Sequence, residues 1–217
     1  MRLFKKQKSL WILFIVSLAV ILPFAAPYLT MNPAVSRVEL NAAKLQFPIL
    51  VAHIGFALVA LLTGFVQFAE PIRRVRPKLH RYAGMLYVAS VGISGILAVA
   101  LVFYMASFAK ATGFLMLSGV WLYASWQGYR HARAGAYEAH RRWMIRSFGI
   151  TLVAVSGRLA MPALLLAYAL LHGFSLPEGR EGMVREALEV NIWVGLLANM
   201  IAVEWFVLKP AAARARS

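Results

Sequence analysis

Apolar residues run along this chain in six long stretches, separated by short segments that are polar and mostly basic. A helix needs about 20 consecutive, largely apolar residues to cross the hydrocarbon core of a bilayer. Stretches of that order cover residues 10–30, 47–69, 83–106, 112–129, 147–171 and 190–208. The connections between them are short, so the pattern predicts an all-α fold: a polytopic six-helix transmembrane bundle in which residues 1–217 form a single integral membrane domain.

Composition agrees with this pattern. Hydrophobic residues make up 61% of the 217 positions and charged residues 14%, well above the roughly half apolar share of a soluble domain. A net charge of +15 would suit a nucleic-acid binder, but such a protein gathers its basic residues on one solvated face beside an ordinary core. Here they sit in loops between apolar runs, so the expected partner is the lipid bilayer and not nucleic acid.

Lys and Arg bias loops toward the cytoplasm. One side of the six-span arrangement holds Arg2, Lys5, Lys6 and Lys8, then Arg73, Arg74, Arg76, Lys78 and Arg81. It also holds Arg130, Arg133, Arg141, Arg142 and Arg146, and finally Lys209, Arg214 and Arg216. The other side holds only Arg37, Lys44, Lys110, Arg180 and Arg185. Both termini are therefore expected in the cytoplasm, with the protein in a bacterial inner membrane. The first span starts from a basic stretch and reads as a retained signal-anchor, because its apolar run exceeds the roughly 7 to 15 residues of a secretory signal.

The acids are all Glu, and there is no Cys and no Asp. That removes disulfides, thiolate metal sites and cysteine or aspartyl catalysis. Sequences of the HExxH, phosphate-loop and GxSxG types are absent as well, so no hydrolase or nucleotide chemistry is signalled.

The second and third spans form a hairpin, as do the fourth and fifth, and the two align when shifted by sixty positions. Gln67 then falls on Gln127, Arg73 on Arg133, His80 on His140 and Arg81 on Arg141. Each hairpin carries a Gln thirteen residues before a His-Arg pair. Repeats in parallel orientation are related by an axis along the membrane normal, which would set His80 and His140 facing each other across the bundle.

Pro77 suits the first position of a helix, where its missing donor costs nothing, and puts His80 in the first turn; His140 follows Gly135 in a similar place. Neutral imidazoles ligate haem iron, and Arg81 and Arg141 beside them suit a propionate or an anionic headgroup. These four are the candidate cofactor-binding residues, and haem iron at His80 and His140 is the one metal expected. The plainer reading is that both histidines cap loop carbonyls at the membrane edge. His53 lies four turns before Gln67 in an apolar helix and reads as a hydrogen-bonding residue of the bundle interior. Arg158 stands midway through the fifth span, where an unpaired guanidinium costs at least about 3 kcal/mol. Asn199 lies at similar depth on the sixth span and Glu204 within reach of a long Arg side chain. With His53 and Gln67, these three form an expected intramembrane polar site in which Glu204 is the counter-charge of Arg158.

The stretches from His53 to Gln67, KLHRYAGMLY from Lys78 to Tyr87 and HRRWMIR from His140 to Arg146, with Arg158 and Asn199 to Glu204, resemble a bacterial family of predicted membrane proteins known as domain of unknown function 2306. The family implies an integral membrane location and no set activity. The layout is similar, more loosely, to two-haem transmembrane b-type cytochromes, whose central helices carry paired His ligands. An inner pair is available in His80 and His140, and the outer pair is missing.

Three functions fit. The first is a redox module with a b-type haem or a quinone near the cytoplasmic face. The second is a small transporter or lipid-binding protein, with a lipid or small-molecule ligand held at Arg158 and Glu204. The third is a membrane accessory subunit without activity of its own. The charge bias carries the first testable expectation: a reporter fused after Leu208 should be active in its cytoplasm-dependent form and silent in its periplasm-dependent form, and the reverse would overturn the orientation.

Overall fold

The computed structural model describes residues 2–38, 40 and 44–209, the side chains of residues 2–7 excepted. Arg214 and Arg216, counted above among the basic residues, lie outside this range. The described residues form helices α1 (Arg2–Ala25), α2 (Gln46–Phe68), α3 (Glu70–Val75), α4 (Pro77–Val102), α5 (Phe108–Arg133), α6 (Tyr137–Thr151), α7 (Val153–Leu159), α8 (Met161–Leu171) and α9 (Gly179–Ile201). Short 3-10 turns, Ala26–Thr30 and Pro33–Val35, follow α1, and a π-helical segment, Ala202–Leu208, continues α9. No strand occurs among the described residues.

Four of these helical segments are long and apolar enough to cross a membrane: Lys8–Thr30, Gln46–Phe68, Pro77–Val102 and Gly179–Leu208. The pair α7 and α8, bent by 45° at their junction, makes five if counted as one broken span. α5 covers the stretch expected as the fourth span and has 26 residues, as α4 does. Its Thr, Ser, Gly, Tyr and Gln positions dilute its aliphatic content, and it does not qualify on composition.

The helix ends follow local chemistry. α4 begins at Pro77, whose missing N–H falls where no intrahelical partner is needed. Ser107 caps α5, its hydroxyl accepting from the Lys110 N–H at 3.3 Å. At the other end Gly135 takes φ of +70°, so that the Ala136 N–H reaches back to the His131 carbonyl at 2.9 Å. That left-handed closure is the reason a glycine stands there. The fifth apolar stretch was expected to begin at residue 147, but α6 starts ten residues earlier, at Tyr137. Arg141, Arg142 and Arg146 look like loop in a hydropathy reading, yet all three lie within this helix. The break between α7 and α8 precedes Pro162, whose ring clashes with the carbonyl four residues back, that of Arg158.

α2 packs most closely on α4, α4 on α5, and α5 on α6; α9 lies against α5, α7 and α8, and α1 touches α2 and α7. Small residues allow these approaches. A Cβ on Gly195 would sit 2.9 Å from the backbone nitrogen of Gly157, so α9 and α7 meet there backbone to backbone. Gly64 leaves room for the Phe148 ring, which packs edge-on against Phe65 with centroids 5.0 Å apart.

A polar network lies within the apolar core of the bundle, which Leu61, Phe65, Val91 and Phe148 help to fill. Tyr87 of α4 is 1% exposed, and its hydroxyl lies 2.8 Å from both Ser147 Oγ and Thr151 Oγ1 of α6. Trp121 of α5 donates Nε1–H to Thr151 Oγ1 at 3.0 Å, and Thr151 Oγ1 donates to the Ser147 carbonyl at 3.0 Å. This fixes every proton. Thr151 has spent its own on a carbonyl, so Tyr87 donates to Thr151, and Ser147 must donate to Tyr87. Three helices are thereby joined with no hydroxyl left over. Tyr87→Phe is expected to lower stability in detergent by about 1 to 2 kcal/mol, since it strands the Ser147 donor and removes one bond from Thr151. A thermal melt of the purified variant indistinguishable from wild type would contradict this accounting.

Candidate functional site

His80 and His140 each occupy the fourth position of a helix, α4 and α6, whose first residues Pro77 and Tyr137 are sixty positions apart. They lie at the same end of the bundle, each opening its helix seven residues before the bonded pair Tyr87 and Ser147. α4 and α6 face each other through the Tyr87–Ser147 bond. His140 Nδ1 lies 2.8 Å from the Gly128 carbonyl at the end of α5. A carbonyl only accepts, so Nδ1 carries a proton, which leaves Nε2 as the nitrogen that offers a lone pair in the neutral ring. Metal-ligating histidines are held in this way, by a backbone carbonyl on the other ring nitrogen. His80 Nδ1 is buried and has no hydrogen-bond partner among the described residues. Arg81 and Arg141 follow, both exposed and with no acidic partner among the described residues. This donor set, one anchored imidazole and one with an orphaned nitrogen, beside free guanidinium groups, fits a haem or another group that takes neutral nitrogen ligands and carries acidic substituents.

The two hairpins are not alike in detail. Gln67 Nε2 donates to the His80 carbonyl at 3.0 Å, whereas Gln127 Nε2 donates to the Tyr123 hydroxyl at 2.8 Å. The difference follows from α3, a separate short helix in the first hairpin where α5 runs on unbroken to Arg133 in the second.

The expected partnership of Arg158 with Glu204 does not form. Glu204 is held by Arg146, with Nε to Oε1 at 2.6 Å and Nη2 to Oε2 at 3.1 Å, and Arg146 also covers the Trp143 ring at 4.8 Å. The cause is the early start of α6, which brings Arg146 down into the helix to the level of Glu204. Asn199 does not bond Arg158 either: its Nδ2 donates to the Gly149 carbonyl at 2.8 Å, close to where α6 gives way to α7. Arg158 turns instead toward α1. It donates Nη1–H to the Ala154 carbonyl at 2.7 Å and lies over the Phe24 ring at 4.6 Å.

His53 sits on the opposite half of the bundle from the His80 and His140 pair. Its Nδ1 lies 2.9 Å from the Ser94 carbonyl, and the Ser94 hydroxyl donates to the His53 carbonyl at 3.1 Å, clasping α2 to α4. The ring facing it from α5 is Phe114, at 6.4 Å.

Two sets of residues escaped the sequence reading. The Tyr87, Ser147, Thr151 and Trp121 network had a visible signal, because Tyr87 and Ser147 are themselves sixty apart. The pairing of Arg146 with Glu204 was hidden by assigning Arg146 to a loop. That pair is bidentate and partly exposed, with side-chain exposures of 24% and 38%. Glu204→Gln and Arg146→Gln should each destabilise the purified protein, and the double variant should recover part of the loss, a coupling of about 1 kcal/mol. Strict additivity would show that the two side chains do not support each other.

No curated protein and no solved structure matches this sequence. One family does, described as Predicted membrane protein (DUF2306), and the match extends over residues 50–207. It takes in α2 from Leu50 on, α3 to α9 and nearly all of the π-helical segment, with both histidine turns, the Tyr87 network and the ion pair of Arg146 with Glu204. The chain belongs to the DUF2306 family of predicted membrane proteins.

Proposed function

We propose that this protein is a membrane-embedded redox module that holds one b-type haem between His80 and His140, at the cytoplasmic end of a six-span domain in a bacterial inner membrane. The observation that carries the reading is the state of the two imidazoles. His140 is oriented by the Gly128 carbonyl through Nδ1, and His80, which precedes Tyr87 by the same seven residues that separate His140 from its bonded partner Ser147, has a buried Nδ1 without a partner among the described residues. A bound haem supplies one-electron transfer, with its potential set by the axial ligands and surroundings. The chain's own part is to fix the ring of His140, to offer His80 from the opposing helix, and to answer the propionates with Arg81 and Arg141. Phe114 opposite His53 is consistent with one haem and not two. α5 counts as the sixth span in this reading because α4, α6 and α9 flank it. The common start of α4 and α6 at a sixty-residue interval supports an internal repeat. The excess of Lys and Arg at the histidine end supports cytoplasmic termini.

An absorption spectrum of detergent-purified protein from haem-replete cells tests this. The expected result is a reduced-minus-oxidised b-type spectrum, lost in His80→Ala and in His140→Ala while both variants keep wild-type helicity and elution volume. A colourless preparation would overturn the haem. A colourless preparation that retains quinone, lost in the same two variants, would transfer the site to a quinone headgroup.

A further inference from the structure

Arg158 is the one intramembrane cation whose charge the bundle leaves unanswered among the described residues. No carboxylate pairs with it; of its five N–H donors, only one on Nη1 has a hydrogen-bond partner there, the Ala154 carbonyl. A second guanidinium comes to the same place. Arg37, from the connection after α1, lies over the same Phe24 ring at 4.9 Å and also lacks an acidic partner among the described residues. The connection is held there by the Arg37 backbone N–H, which donates to the hydroxyl of buried Tyr28 at 3.1 Å. One aromatic ring thus carries two like charges at the junction of α1 and α7, far from the basic loops. Arg158 is partly buried and Arg37 is exposed beside it, and two like charges on one ring attract an anion. Stacking on Phe24 orients both groups but does not neutralise them.

We infer that Arg158 and Arg37 form a binding site for the oxyanion of an anionic membrane lipid, with Phe24 as the platform that holds the two guanidinium groups. Guanidinium donors are suited to phosphate and carboxylate oxygens, which they engage in pairs. The surroundings select an amphiphile over a free anion. Leu22 and Phe24 on α1, Leu29 beyond it and Leu159 next to Arg158 are all exposed, which gives an acyl chain an apolar surface beside the charged pair. This site is independent of the histidine pair at the other end.

The test is lipid binding by full-length protein, delipidated in a non-ionic detergent. Native mass spectrometry and thermal melting would be read on adding dioleoyl phosphatidylglycerol, dioleoyl phosphatidylcholine or inorganic phosphate. Phosphatidylglycerol is expected to bind about tenfold or more tightly than phosphatidylcholine and to raise the melting temperature. Arg158→Gln and Arg37→Gln are each expected to remove about tenfold of that affinity, the scale of one charge-assisted contact. Arg37 is exposed, so its variant keeps the test open if Arg158→Gln fails to fold. Equal binding of the two lipids would overturn the inference, as would unchanged preference in Arg37→Gln. Stabilisation by inorganic phosphate equal to that by lipid would assign the guanidinium pair to a soluble oxyanion and overturn the lipid.

Discussion

Inside a bundle surrounded by lipid, a polar side chain has no water to fall back on, and its partners come from its own helix or from a neighbouring one. The Tyr87 hydroxyl shows how far this governs the architecture. Its partners come from α6, their other partner comes from α5, and the set closes without a spare donor. The same economy recurs in His53 with Ser94 and in Asn199 with the Gly149 carbonyl. Each of these bonds joins two helices at a defined level, so register along the bundle is set by polar contacts, while apolar packing fills the space between.

Much of the helical layout could be read in the sequence because hydropathy reports what lipid requires. α2 was expected over 47–69 and occupies Gln46–Phe68; Pro77 marked the start of α4. Hydropathy fails where a helix is amphipathic at its end. α6 opens with His140, Arg141, Arg142 and Arg146, a run that reads as loop although its backbone is helical from Tyr137. That single displacement misdirected the expected partner of Glu204, because depth was counted from the wrong helix start. Pairings between helices depend on rotation about each axis as well as depth. Nothing in the local pattern around Arg158 indicated that it would turn to Phe24 on α1.

Each end of the bundle pairs some of its charges and leaves others open. At the basic end, acids are matched to arginines: Glu70 with Arg74 at 2.7 Å, and Glu204 with Arg146 through two bonds. Glu204 lies in the π-helical segment that continues α9, a rare form of helix that is frequent at functional sites. Beyond the middle of the bundle, Arg158 has only a backbone carbonyl and an aromatic face. Among the described residues both ends keep unpaired cations, Arg81 and Arg141 at the basic end and Arg158 toward the other, where Glu178 holds Arg185.

The 45° bend between α7 and α8 has a mechanical consequence. Below it, α6 and α7 are gripped by α5, α9, α1 and α2, and the polar network fastens α6 to two neighbours. Above it, α8 leans on α9 as its principal neighbour. Segments with fewer partners open at lower cost than those buried among several. Separating α8 from the bundle is therefore expected to cost less than opening the helices around the Tyr87 network.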